Sequence, residues 1–492
     1  MTEPTPTTVV VLAAGEGTRM KSKTMKVLHP LCGRSMIGHV LAAARAIEPD
    51  RLVAVVGNGR EQVGPHILEQ EPKALLAVQE TLDGTGSAVR VAMEALAEAQ
   101  GGTASGTVLV ANGDTPLLEG ETLRAFAEDH ARSGRAVTIL TGRVADPYGY
   151  GRIIRGASGE VEQIVEEKDA DPEQAAVDEI SSGILAFDAA FLREALPRIT
   201  NDNAKREYYL TDTVALAREA GRSVGAFVVE DVVQTEGAND RVQLAALTTE
   251  MNRRILTRWM REGVTVVDPA STWVDVQVRL SRDVTLHPGV QLHGETVVDE
   301  DAVIGPDTTL VDVEVGAGAS VVRTHARQSV IGPDASVGPF ASLRPGTVLA
   351  AEGKIGTFVE TKNAQIATGA KVPHLTYVGD AEIGEGSNIG AGTVFANYDG
   401  VRKHRTTVGR HARTGSNNTF VAPVEIGDGA VTGGGTVVRR DVPPGSLAVS
   451  TGSQRNIERW TLRKRAGTPA AEAAQVALDR DEPGGSAHSD RP

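Results

Sequence analysis

The chain is poor in sulfur, in aromatics and in positive charge. Among 492 residues there is one cysteine, Cys32, so no intrachain disulfide is possible and a reducing compartment is the natural setting. Cys32 itself reads as a structural thiol. No run approaches the roughly 18 apolar residues of a membrane helix. The opening run Val9–Ala14 is too short for a secretory h-region. Lys and Arg number 50 against 64 Asp and Glu, a net charge of −14. An acidic chain gains nothing from counterion release, which argues against nucleic acid and anionic membrane as partners. A soluble, cytoplasmic protein is expected, in which local cations hold any anionic substrate against the overall field.

Aromatics are only 3% of the chain while glycine contributes 54 residues, the balance of something repetitive and turn-rich. The apolar fraction of 40% still suffices for real cores. At about 150 residues per domain the length implies two to four domains.

From Val9 to about Asp240, strands and helices alternate. Val9–Ala14, Leu52–Val56, Thr107–Asn112 and Ala136–Thr141 suit buried strands. Met36–Ile47, Gly86–Ala99 and Glu121–Ser133 have helical spacing. This α/β pattern predicts a mostly parallel, Rossmann-like sheet covered on both faces, with ligands beyond the carboxyl ends of its strands. Leu244, Leu247, Met251, Ile255 and Trp259 predict a linker helix over 241–263, capped by Asp240 and stopped at Gly263. The rhythm then changes. Ile331, Val337, Leu343, Leu349 and Ile355 recur every six residues, as do Ile366, Val372 and Val378. Val408, Thr414, Phe420, Ile426 and Thr432 resume the period after a break around 397–405. Glycine often follows the aliphatic, as in Ile331-Gly332 and Ile426-Gly427. This is the hexapeptide signature of a parallel β-helix over 264–460. Residues 461–492 read as a disordered tail behind the nucleotide domain 1–240, the linker and the β-helix.

Leu12–Met20, L-A-A-G-E-G-T-R-M, follows a strand. Its glycine turn lets backbone N–H groups approach a phosphate, and a helix start there would add its dipole. The spacing fits neither G-x-G-x-x-G nor a Walker loop. Arg19 and Lys26 lie near enough to serve a triphosphate, though on the loop alone a tight turn with solvated cations is slightly the better reading. Asp114, in N-G-D after the strand at 107–112, suits a magnesium ligand or an ordinary turn. In the β-helix, Arg344, Glu360, Lys362, His374, Tyr377, Asn388, Asn397 and Tyr398 exceed what coil packing needs. A histidine suits proton transfer near neutral pH, although a structural hydrogen bond is the commoner fate of one taken alone.

These segments together resemble a known family. L-A-A-G-E-G-T-R-M, M-K-V-L-H (25–29), G-T-G (84–86), N-G-D, Y-G-R-I (150–153), V-E-E-K-D (165–169) and E-G-A-N-D-R (236–241) are similar to sugar-1-phosphate nucleotidyltransferases. With R-P-G-T (344–347), F-V-E-T-K-N (358–363), H-L-T-Y-V-G-D (374–380), N-I-G-A-G-T (388–393), N-Y-D-G (397–400) and V-A-P-V (421–424), the chain resembles the bifunctional N-acetylglucosamine-1-phosphate uridylyltransferase/glucosamine-1-phosphate acetyltransferases from about Val9 to Trp460.

The resemblance implies synthesis of UDP-N-acetylglucosamine for peptidoglycan and cell-envelope precursors. Acetyl-CoA would acetylate glucosamine-1-phosphate, and UTP would then uridylylate the product. It implies a left-handed β-helix that trimerises, although about 98% of parallel crossovers are right-handed. Uracil and ribose fall to Leu12, Ala13, Ala14, Gly15, Gln79, Gly84 and Thr85, triphosphate to Arg19 and Lys26, and Mg²⁺ to Asp114 and Asn239. The N-acetylglucosamine moiety falls to Gly151, Glu166 and Ser181. In the β-helix, Arg344 and Lys362 take the sugar phosphate, and Tyr377 and Asn388 the sugar. His374 is the base, and Asn397, Tyr398, Lys403, Ser416 and Gly434 lie towards acetyl-CoA. Glu360 would orient either His374 or the sugar. The chain departs from the family at Met25 for proline, Ser181 for asparagine, Gly434 for alanine and Thr451 for arginine. Readings with a silent scaffold, or with a non-catalytic subunit, are disfavoured by His374 with its polar neighbours and by intact Arg19, Lys26, Asp114 and Asn239.

Overall fold

A computed structural model describes residues 6–100, 104–157, 159–450, 452, 454 and 456–481. Its first part is a twisted sheet in the order Val224–Val228, Val137–Arg143, Glu179–Asp188, Thr107–Asn112, Thr7–Leu12, Arg51–Val56, Leu75–Val78. The β-branched runs that form the central strands are buried on both faces: Val9, Val10, Val11, Val53 and Val55 have no exposure. Within that order all pairs are parallel except those of Glu179–Asp188, which runs against both neighbours and carries the antiparallel ribbon Gly151–Arg155/Val161–Val165. Helices Met36–Arg45 and Gly120–Ser133 cover one face, with core residues Ile37, Leu41 and Phe126. Thr85–Gln100 covers the other with Val89 and Leu96. The antiparallel strand and the helix Arg60–Gln70, which holds Pro65, were not expected from the sequence.

Helix Arg241–Arg261 joins the two parts. Asp240 caps it, accepting from the N–H groups of Val242 and Gln243 at 2.9 Å each, which is worth about 1 kcal/mol. The Asn252 amide seats the helix on the first coil, donating to the Thr272 carbonyl at 2.8 Å and accepting from Val274 N–H at 3.1 Å. Gly263, at φ +99°, turns the chain into the coils.

The second part is a stack of parallel coils. Ser336 pairs with Lys354 and Lys354 with Lys371, so one turn takes about three hexapeptides. Leu286, Ile304, Val321, Val337, Ile355, Val372 and Ile389 form one inward ladder, all at 3% exposure or less. The glycine excess follows from the stacking. A Cβ on Gly356 would lie 1.9 Å from the Pro373 oxygen, and one on Gly390 2.2 Å from the Gly415 oxygen. Successive coils approach there backbone to backbone, leaving no room for a side chain. Val394 pairs with Thr419 rather than with a residue one ordinary turn on, so the break at 397–405 is an outward loop inserted into one coil.

The tail differs from expectation. Trp460–Lys464 and Pro469–Asp481 are helices, with Ala471 buried. Alanine is the best helix former, and the segment A-A-E-A-A-Q-V-A-L outweighs its low hydrophobicity. Residues 482–492 and Thr451 lie outside the described residues. No helix among the described residues is long and apolar enough to cross a membrane.

Candidate functional sites

At the carboxyl ends of the central strands lies a cavity of about 380 Å³. Leu12, Ala14, Gly15, Gln79, Gly84, Thr85 and Glu166 line it, from segments far apart in sequence. Gln79 is buried and its amide donates to the Gly84 carbonyl at 3.1 Å. Gly84 sits at φ +124°, and a Cβ there would meet the Tyr208 oxygen at 2.4 Å, so only glycine closes this wall. Thr85 Oγ1 accepts from Leu210 N–H at 3.0 Å. Glu166 is held above the usual carboxylate range by burial, against the pull of Lys205 and of the Thr211 hydroxyl.

Beyond the glycine turn, Lys26, Asp114 and Asn239 converge. The Lys26 ammonium pairs with Asp114 Oδ2 and donates to Asn239 Oδ1 at 2.9 Å. Three residues separated by 88 and 213 positions thus meet at one point. Gly17 packs on the Lys26 stem, where a Cβ would come to 2.3 Å. Met25 lies against Gly59, which has no side chain to obstruct the Met25 thioether.

Some expected residues stand apart from this group. Ala13 is buried, is not among the lining residues, and gives its N–H to the Val55 carbonyl at 2.8 Å. Only Ala14 and Gly15 of that turn reach the cavity. The expected helix start is a single 3-10 turn, Thr18–Met20, because Gly17 and Lys21 on either side are left-handed; it adds no useful dipole. Arg19 on that turn is exposed. Ser181 is buried beside Gly151, and its hydroxyl accepts from Gly183 N–H at 3.3 Å.

The loop 203–212, N-A-K-R-E-Y-Y-L-T-D, was missed. It contributes Lys205, Glu207, Tyr209, Leu210 and Thr211 to the cavity wall. Burial, then Glu166 and Asp169, push the Asp212 carboxyl up to about 6. Two adjacent tyrosines in a chain with only six were the available signal.

On the β-helix, one surface gathers most of the expected polar residues. Glu360 and Tyr377 are in register on adjacent strands. Arg344 Nη1 donates to Glu360 Oε1 at 3.0 Å. Glu360 is therefore tied to Arg344. Lys362 Nζ lies 3.5 Å from Asp380 Oδ1, and the Lys362 and Lys403 amines are neighbours. Asn397 is buried, donates to Asp380 Oδ2, and lies 3.5 Å from the Tyr377 hydroxyl. Gly379 is glycine because the Tyr377 and Asn397 groups fill the space a Cβ would need. Asp380, within the quoted H-L-T-Y-V-G-D, had been given no role. Its local sequence carries no signal, because the cations it meets come from neighbouring coils.

His374 stands at the next corner, exposed, paired across the coil with Thr357. Tyr398 leans out of the inserted loop, its hydroxyl donating to the Gly400 carbonyl at 2.7 Å. Ser416 and Gly434 are exposed and adjacent on successive coils. A Cβ on Gly434 would lie an ordinary 3.6 Å from the Ser416 oxygen, so the family's alanine would fit there unchanged. Asn388 is not in this network and bridges Lys371 and Arg413 instead.

Comparison with known proteins is decisive. The chain is 58% identical to the bifunctional protein GlmU of Kineococcus radiotolerans over 99% of its own length and 98% of the relative's. It is 58% identical to that of Streptomyces avermitilis over 97% and 98%, and 59% identical to that of Rhodococcus opacus over 96% and 95%.

The chain belongs to the GlmU family.

Residues 9–171 also match the MobA-like NTP transferase domain, which covers Leu12, Ala14, Gly15, Gln79, Gly84, Thr85 and Glu166 of the first cavity. GlmU membership accounts for two unlike architectures in one chain, since the similarity runs through both.

Proposed function

We propose that the two sites act in succession on one aminosugar phosphate. The chain is a bifunctional enzyme of UDP-N-acetylglucosamine synthesis, combining acetyltransferase and uridylyltransferase activities. In the first step glucosamine-1-phosphate lies against Arg344 and Lys362, with Tyr377 and Asn388 towards the sugar. His374 takes the proton as the amine attacks the thioester carbonyl of acetyl-CoA, whose acyl end lies towards Asn397, Tyr398, Lys403, Ser416 and Gly434. In the second step UTP enters the cavity at Leu12, Ala14, Gly15, Gln79, Gly84 and Thr85. N-acetylglucosamine-1-phosphate, held near Gly151 and Glu166, attacks its α-phosphorus in line, and pyrophosphate leaves. No protein nucleophile is required; Lys26 and Arg19 position and offset charge.

The observation that carries this reading is the convergence of Asp114 and Asn239 on a single cation. Two oxygen ligands fit magnesium, which is commonly held by one or two carboxylates plus substrate phosphates. No cluster of three His, Cys, Asp or Glu that could form a closed cage occurs among the described residues. Bound there, magnesium would supply charge stabilisation on the transferring phosphates. Lys26 would then exchange its carboxylate partner for a phosphate oxygen.

Oligomerisation is part of the proposal. Phe340, Phe358 and Leu375 are 52%, 59% and 62% exposed on one corner of the β-helix. The two rings stack at 5.5 Å, and Leu375 adjoins His374. Covering this ladder with a second copy, in the trimer typical of the resemblance, would bury it and enclose the acetyl site. The test is direct. Purified chain should release pyrophosphate from UTP with N-acetylglucosamine-1-phosphate, and free thiol from acetyl-CoA with glucosamine-1-phosphate. Failure of either reaction overturns the corresponding half.

A further inference from the structure

We propose that Asp380 is a positioning residue for acetyl transfer, keeping Lys362 and Lys403 charged together and holding Asn397 in place. The inference rests on the reading above that Lys362 faces the sugar phosphate while Lys403 and Asn397 lie towards the acyl donor.

The geometry points to one carboxylate with three tasks. Asp380 is 9% exposed and occupies a left-handed corner at φ +50°. Its Oδ1 accepts from Asn363 Nδ2 at 2.9 Å and faces Lys362 Nζ at 3.5 Å. Its Oδ2 accepts from Asn397 Nδ2. Burial works against its ionisation, but the Asn363 and Asn397 hydrogen bonds and the Lys362 ammonium hold the carboxyl below its usual range.

The charged groups around it make the need plain. Three cations gather here: Arg344, Lys362 and Lys403. Glu360 is engaged by Arg344, and the remaining titratable neighbour is the Tyr377 phenol. Asp380 is thus the carboxylate left to offset the two adjoining lysines. Two ammonium groups side by side repel, and the Lys362 amine pulls the Lys403 ammonium below the ordinary lysine range, with Asp380 opposing that pull. The phosphate dianion against Lys362 is best held when that amine and its neighbour Lys403 both keep their protons. Asn397 is fixed by the same carboxylate, so one group serves the sites of both substrates.

The experiment compares Asp380→Asn with the unchanged chain, reading acetyl transfer against pH. The alkaline limb of kcat/KM for glucosamine-1-phosphate should move about one pH unit towards neutral, a tenfold loss at a fixed pH on that limb. KM for acetyl-CoA should rise about fivefold as Asn397 loses its anionic acceptor. At neutral pH and saturation kcat should stay within about threefold, because His374 does not touch Asp380. Superimposable profiles with unchanged KM values, or a fall in kcat alone, overturn the proposal. Uridylyl transfer by the same preparation reports whether the chain is folded. Should Asp380→Asn fail to fold, Lys403→Gln at an exposed position asks the same question. Removing the like charge should send the limb to higher pH, and an unmoved limb overturns the idea. If the unchanged chain acetylates nothing, the reading of the site has failed rather than this inference.

Discussion

The two halves of the molecule build their sites in opposite ways. In the amino-terminal half, strands of different origin end at one edge of a sheet, and their loops enclose a cavity from Leu12 through Gln79 and Glu166 to Thr211. In the carboxyl-terminal half, a repetitive scaffold holds its core in register while polar groups stand on its outer surface. The first site is walled by its own protomer. The second leaves His374 at an exposed corner beside an uncovered apolar ladder. The proposed assembly would therefore weigh unequally on the two halves: uridylyl transfer should survive as a monomer, whereas acetyl transfer should not.

The contrast can be broken most severely at the chemical groups. His374→Ala should lower acetyl transfer by about 10³-fold, the usual worth of a positioned base, and leave unchanged the pyrophosphate release from UTP with N-acetylglucosamine-1-phosphate supplied directly. Asp114→Ala should do the reverse, costing about 10²- to 10³-fold in uridylyl transfer if it removes the proposed metal ligand. Loss of both activities in either variant would contradict two separate sites.

A smaller effect tests assembly. Phe358→Asp places a charge on the stacked ring pair. Sedimentation should show smaller species, with acetyl transfer down about tenfold or more and uridylyl transfer retained. An intact oligomer with full acetyl transfer would remove the apolar corner from the interface.

The smallest effect concerns Asp212. Its folded carboxyl titrates at about 6, above the unfolded value. The folded chain therefore binds this proton more tightly than the unfolded chain does, and ionisation opposes folding as pH rises through that window. Asp212→Asn should raise Tm at pH 8, and the gain should vanish below about pH 4, where both states are protonated. An equal gain at both pH values would assign the effect to packing.

The same contrast explains what was readable beforehand. The coils were legible because a six-residue period repeats many times, and each of Ile331, Val337, Leu343, Leu349 and Ile355 proved to be core. Thr107–Asn112 was read to the residue because a fully buried strand is a continuous apolar run. The reversed strand Glu179–Asp188 was not, since its E-I-S-S-G start carries no period and a bulge interrupts its pairing. Site residues were legible where a motif is local, as in N-G-D. They were lost where function depends on tertiary approach. The loop 203–212 has no repeat and no glycine, and it is recruited only when Tyr208 bonds to Asp83 and Gly86 across the cavity mouth. Asp380 had been seen as part of a string, but its meaning depends on Lys362 and Asn397 on neighbouring coils.

Removing the metal tests the division of labour most directly. With a chelator titrated into one preparation assayed for both products, pyrophosphate release should fall to background and return on adding magnesium, while thiol release continues unchanged throughout. If the two activities decline together, or pyrophosphate release persists without a divalent ion, the metal does not belong to Asp114 and Asn239 alone and the account is contradicted.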